Sequence, residues 1–183
     1  MIVAFINCRE INNQHERKRN MDFLELAMAI EKEGIDYYTK LADKVKWKDE
    51  AGIFLFLARE EKGHYEILNA WHKHFDVPSL ENLNILKESK AVFRRLSDHF
   101  ETYGTPATDY YNAYEKALRL EEKSVAFYKE ALIKMESPAQ KEVLTKIIEQ
   151  EKSHVNFLTD MLGFLRHPGE WLENAEWYHL EEY

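Results

Sequence analysis

The chain has 183 residues, with 25 Lys plus Arg against 33 Asp plus Glu and a formal net charge of −8. Its length suits one domain, and with 45% hydrophobic and 13% aromatic residues it is too apolar for a disordered acidic tail. The acidic balance argues against a nucleic-acid partner held by phosphate neutralisation. The single cysteine, Cys8, excludes an internal disulfide and paired CxxC metal motifs, so any metal must be held by His and carboxylate.

The apolar start, residues 1–6, is too short for a signal-peptide core, and its charged cluster, Glu16-Arg17-Lys18-Arg19, follows rather than precedes it. No run approaches the roughly 18 apolar residues of a membrane span. The sequence therefore reads as a soluble, cytoplasmic protein with no membrane partner. Met21 stands just before the first strong helical pattern, so residues 1–20 read as an upstream extension, 21–166 as the domain and 167–183 as a Trp-rich tail.

Apolar residues at helical spacing (Leu24, Ala27, Met28, Leu41, Val45) predict a first helix over 22–46, in which Gly34 costs only about 1 kcal/mol relative to alanine. After a break near Trp47-Lys48, the acidic pair Asp49 and Glu50 suits a helix N-terminus, and Ile53, Phe54, Leu57, Ala58 and Leu68 carry a second helix to about Phe75. Asp76-Val77-Pro78 ends it, and a connection with its own shorter helix, 84–100, leads to the turn signals Gly104 and Pro106. A third helix is expected over 109–135. Ser137 as N-cap and Pro138 at the first helical position then restart the chain for a fourth helix to Arg166. His167-Pro168-Gly169 stops it, and the tail rings Trp171, Trp177, Tyr178 and Tyr183 are expected to pack on the bundle or on a neighbouring subunit, so a homodimer is one expectation. The fold class is all-α, a four-helix bundle of helices about 37 Å long with one long crossover between the second and third.

Shifting the sequence by 90 residues lays the first helix pair on the second without a gap. Glu31 meets Glu121, Tyr38 meets Tyr128, Glu61 meets Glu151 and His64 meets His154, while Phe54, Leu57 and Leu68 meet Leu144, Ile147 and Leu158. The halves can thus be related by a pseudo-two-fold axis, each giving one Glu and, thirty residues later, a Glu-x-x-His. Residues i and i+3 share a helix face, so Glu61 with His64 and Glu151 with His154 each aim an oxygen and a nitrogen at one point. Two such helices plus one Glu from each of the others is the donor set of di-iron and di-manganese carboxylate bundles. Four glutamates balance two divalent ions in a core where unpaired charge would be expensive.

Composition alone, 25 Glu and 8 His, gives about one Glu-x-x-His by chance, so the motif means little by itself. Glu176-x-x-His179 in the tail is such a copy, lacking a Glu-then-Tyr pattern thirty residues upstream, and has no assigned role. Among rivals for the first donor, Glu33 maps onto Lys123 and reads as a solvated side chain, and Glu122 maps onto Lys32. Glu25 maps onto Glu115 but lies nearly two turns from Glu31, which makes it an outer carboxylate. Glu60 and Gln150 map onto each other and are candidates to bond the metal-bound imidazoles, since such rings usually donate their other proton. Tyr38 and Tyr128 lie two turns from Glu31 and Glu121 on the same face, where each hydroxyl can hold a donor carboxylate. His72, His74, His99 and His167 are read as surface residues.

At these positions the chain resembles the ferritin-like superfamily, most closely its rubrerythrin-like (erythrin) branch. The carrying stretches are Ala29-Ile30-Glu31-Lys32-Glu33-Gly34-Ile35-Asp36-Tyr37-Tyr38, Glu60-Glu61-Lys62-Gly63-His64 and Glu149-Gln150-Glu151-Lys152-Ser153-His154, within a resemblance covering about residues 22–166. The resemblance implies two iron ions per chain, with manganese or a mixed pair as alternatives, on Glu31, Glu61, His64, Glu121, Glu151 and His154. It implies reduction of hydrogen peroxide or dioxygen there. Two departures stand out. No cysteine pairs supply a rubredoxin domain, so electrons would come from a separate carrier such as a rubredoxin-like protein. Ser124 stands where rubrerythrins carry an additional glutamate, leaving a symmetric six-residue donor set closer to that of bacterioferritin. A ferroxidase or iron-storage role, a purely structural metal and oxidation of an organic substrate are the competing expectations.

Overall fold

A computed structural model describes residues 2–45, 48–73 and 108–166, and these form four α-helices with no strand among them. They are α1 (Ile2–Lys44), α2 (Lys48–His72), α3 (Thr108–Lys134) and α4 (Pro138–Arg166). The fourth helix starts at the proline that the sequence singles out, and the Lys141 N–H donates to the Ser137 carbonyl at 3.0 Å, closing its first turn. α2 stops at His72 rather than at Phe75, its end closed by the Lys73 N–H on the Asn69 carbonyl. α1 ends at Lys44, two residues short of the predicted end, and starts twenty residues before the predicted start. Met21 is therefore inside a helix, because no proline or glycine occurs before Gly34 to break the backbone ladder. The predicted helix over 84–100 and the tail 167–183 lie outside the described residues.

α1 packs closely on α2 and α3 on α4, while α1 and α3 approach each other only sparsely. The apolar faces make two core clusters. One holds Tyr38, Phe54, Leu57, Tyr114 and Leu158, and the other Leu24, Leu68, Tyr128, Leu144 and Ile147. Each of these residues has its 90-shifted partner in the opposite cluster, so the pseudo-two-fold relation exchanges the two ends of the core.

Between the clusters every helix carries polar residues. Glu31 falls between Ala27 and Tyr38, Glu61 and His64 between Ala58 and Leu68, Glu121 between Ala117 and Tyr128, and Glu151 and His154 between Ile148 and Phe157. A charged layer is thus sealed above and below by aliphatic and aromatic side chains. Burying so many carboxylates without a counter-charge would be strongly unfavourable, which makes this layer the place to look for function.

Candidate metal centre

All six residues singled out by the repeat meet in this layer. Glu31, Glu151 and His154 are completely buried, and Glu61, His64 and Glu121 are at most 3% exposed. Their donor atoms form two overlapping groups within which all lie inside 4.8 Å of one another: Glu31, Glu61, His64 and Glu151, and Glu61, Glu121, Glu151 and His154. Glu61 and Glu151 belong to both.

The imidazole Nδ1 atoms face inward. That of His64 lies 3.1 Å from Glu151 Oε1, 3.4 Å from Glu31 Oε2 and 3.9 Å from Glu61 Oε2. That of His154 lies 3.3 Å from Glu61 Oε1, 3.3 Å from Glu121 Oε2 and 3.8 Å from Glu151 Oε2. The two rings stand 6.0 Å apart, tilted by 30°. Despite this crowding, Glu31 Oε2, Glu61 Oε1, both Glu151 oxygens and His64 Nδ1 have no hydrogen-bond partner among the described residues. Buried polar atoms that converge without bonding each other suit a third party that accepts lone pairs from all of them, and His with carboxylate suits a first-row divalent ion.

Outer contacts orient the donors. His64 Nε2 lies 2.9 Å from Gln150 Oε1. An amide oxygen only accepts, so Nε2 carries the proton and Nδ1 is left for the site. The equivalent bond from His154 to Glu60 is not made: Glu60 is buried, but His154 Nε2 has no hydrogen-bond partner among the described residues. Two-fold equivalence in sequence thus does not extend to this outer contact. The tyrosine pair does act on the carboxylates, but crosswise: the Tyr38 hydroxyl donates to Glu121 Oε1 and the Tyr128 hydroxyl to Glu31 Oε1, each in the other half of the repeat.

The electrostatics of the metal-free site follow from this crowding. Burial, then the charges of Glu151, Glu121 and Glu31, push the Glu61 carboxyl well above its ordinary range. Burial, then the charge of Glu151, raises Glu121 to about 7, with His154 pulling the other way. Burial also acts to raise Glu151, but the imidazoles of His154 and His64 outweigh it and hold this carboxyl well below its ordinary range. For both histidines burial favours the neutral ring, yet the surrounding carboxylates win, Glu31 foremost at His64 and Glu121 at His154, and each ring is held protonated well above its ordinary range. In the absence of metal, two imidazolium charges stand in for two metal ions.

The rivals fall away from the layer. Glu25, Glu33 and Glu122 are exposed, and Glu25 faces His72 at 3.9 Å on the bundle surface. His74, His99, His167 and the Glu176-x-x-His179 copy lie outside the described residues. Sequence reasoning missed two features. Glu50, read as a helix-start acid, is 2% exposed, and burial raises its carboxyl to about 7; Tyr114, whose hydroxyl approaches without reaching hydrogen-bond geometry, offsets part of that. Its signal was available only as the tyrosine at an α3 position facing α2. The second is a cavity of about 330 Å³ between α1 and α3, reaching Glu61 and Glu121. It passes between Gly34 and Ser124, which are partners in the repeat.

Among the described residues, no helix is long and apolar enough to cross a membrane. Searches of curated proteins and of solved structures find no match. A protein-family model, Rubrerythrin, matches residues 22–162, which takes in α1 from just after Met21, all of α2 and α3, α4 except its last four residues, and every residue of the buried layer. With that match and an all-α bundle carrying a buried Glu/His cluster, the chain belongs to the rubrerythrin family.

Proposed function

We propose that the protein is a di-iron oxidoreductase that reduces hydrogen peroxide, or dioxygen, to water with electrons from a separate carrier such as a rubredoxin-like protein. The observation that carries the reading is the pair of overlapping donor groups sharing Glu61 and Glu151. Glu31 and His64 would hold one ion, Glu121 and His154 the other, and Glu61 and Glu151 both. When bound, the metal pair supplies two electrons and Lewis-acid activation of the peroxide oxygens.

The chain's own residues do the rest. Gln150 accepts the Nε2–H of His64 and fixes the ring with its Nδ1 lone pair toward the site. Tyr38 and Tyr128 each occupy one oxygen of Glu121 and Glu31 and leave the other oxygen facing inward. The apolar clusters cover the layer at both of its ends, which strengthens the charge interactions within. A lone cysteine and the absence of CxxC pairs suit a reducing cytoplasm, where removing peroxide would protect against oxidative stress.

Stopped-flow mixing of anaerobic, ferrous-loaded protein with hydrogen peroxide or with air tests this. Oxidation by peroxide should outrun that of free ferrous ion at the same concentration; equal rates would refute the reading. One observation favours a second reading, ferroxidase or iron handling: Ser124 stands where rubrerythrins carry an additional glutamate, leaving a symmetric donor set. Sustained air oxidation of excess ferrous ion, slower with peroxide, together with a many-subunit shell on size-exclusion chromatography, would select it.

A further inference from the structure

We infer that the α1–α3 cavity is the binding site for the organic part of a small, uncharged organic hydroperoxide, delivering its peroxide oxygens to Glu61 and Glu121; this rests on the peroxide-reducing reading above. The volume is the first reason. Hydrogen peroxide needs little more room than a water, whose share of liquid volume is about 30 Å³, whereas the cavity holds about 330 Å³. Cavities of roughly 300–1,000 Å³ are those that take small organic molecules.

The lining is the second. Ile30, Leu120, Phe127 and the ring of Tyr38 give it apolar walls, and the buried carboxylates of Glu61 and Glu121 form its inner end. At the rim stand exposed Glu33 and Lys123, opposite charges that are repeat partners, so the entrance favours neither anions nor cations. The space exists because two residues are small. A Cβ on Gly34 would come within 3.2 Å of the Glu61 side chain, and across the cavity Ser124 fills little of it. Ser124 is 6% exposed, and its hydroxyl has no hydrogen-bond partner among the described residues, a polar group free to bond a guest oxygen.

The reaction balances as R–O–OH plus two electrons and two protons giving R–OH and water. The O–O bond breaks, the distal oxygen leaves as water and the proximal one is protonated to the alcohol. The electrons would be supplied by the reduced metal pair, refilled by the separate carrier of the proposed function, and the protons by solvent.

The test uses the full chain loaded with redox-inert zinc and titrated with cumyl alcohol, the stable product analogue, followed by NMR chemical shifts. Saturable binding is expected, with shifts at Ile30, Leu120 and Phe127. Ser124→Leu should weaken it about tenfold, the scale of a lost pocket fit. In parallel, oxidation of the ferrous-loaded protein by cumene hydroperoxide should fall about tenfold more in Ser124→Leu than oxidation by hydrogen peroxide. No saturable binding by the unaltered protein, or unchanged binding in a folded Ser124→Leu, overturns the inference. Absence of cumyl alcohol binding to the unaltered protein with its hydrogen peroxide reactivity intact refutes this inference alone; binding by the unaltered protein without reaction toward either peroxide refutes the proposed function and the substrate assignment with it.

Discussion

Gly34→Ala separates the metal-free from the metal-bound state of the centre. An ideal Cβ there would lie 3.2 Å from Glu61 Cγ and 3.3 Å from its Cδ and Oε2, whereas Gly52 and Gly63 have nothing within 4 Å. In a helix, alanine is favoured over glycine by about 1 kcal/mol. Gly52→Ala should therefore raise the Tm by about 2–4 °C for a chain of this size, with or without metal. At Gly34 the same gain holds in metal-free protein, where the Glu61 side chain can swing a few tenths of an ångström aside. With both Glu61 oxygens committed to metal, the contact must be relieved by bending, and a bond-angle distortion near 7° or a rotamer displaced by about 30° costs about 1 kcal/mol. The metal-bound form then gains nothing, and metal affinity falls about fivefold. Differential scanning calorimetry of both forms reads this directly. If Gly34→Ala raises the Tm equally with and without metal, as Gly52→Ala should, the placement of Glu61 as a metal ligand is refuted.

Three further outcomes follow from the same geometry. Metal loading of the apo protein at pH 7 should release protons, from the imidazoliums of His64 and His154 and from the raised carboxyls of Glu61 and Glu121; calorimetric titration in buffers of different ionisation enthalpy measures it, and a release near zero would contradict the charge assignment. Glu151→Ala should abolish binding of both ions, since Glu151 belongs to both donor groups, whereas Glu31→Ala should leave the other group able to bind; equal stoichiometry in the two variants would refute the bridging role. Glu50 has its folded-state carboxyl raised to about 7, so its stabilising protonated form is fully present below pH 4.5 and is lost as pH rises through 7. Glu50→Gln should accordingly gain stability over the unaltered protein from pH 5 to 8, reaching up to about 3 kcal/mol, and parallel Tm curves would sink that assignment.

The buried layer was legible because its geometry is local to each helix. Glu61 and His64 are three residues apart on one turn, and the 90-residue shift places an identical pair on α4, so the spacing alone brings both imidazoles to one level of the bundle. Helix restarts were legible where the backbone chemistry is specific, as at Ser137-Pro138. The start of α1 was not, because apolar periodicity fades upstream of Met21 while nothing there breaks a helix. What depends on distances between helices was also hidden. The crossing of Tyr38 to Glu121 and Tyr128 to Glu31 is set by how the halves dock, and a helical wheel shows only that each tyrosine shares a face with a glutamate. The cavity likewise arises from the sparse approach of α1 to α3, which gives meaning to the pairing of Gly34 with Ser124 and of Glu33 with Lys123. Glu50 misled because an acid in the first turn of a helix has a sufficient reason to be there in the helix dipole.

The central claim is that six side chains from four helices hold a pair of iron ions, and anomalous diffraction at the iron edge from crystals of ferrous-loaded protein tests it most directly. The account requires two peaks in the buried layer, one among Glu31, Glu61, His64 and Glu151 and the other among Glu61, Glu121, Glu151 and His154. No peak in that layer, or iron bound only at surface carboxylates, would contradict it.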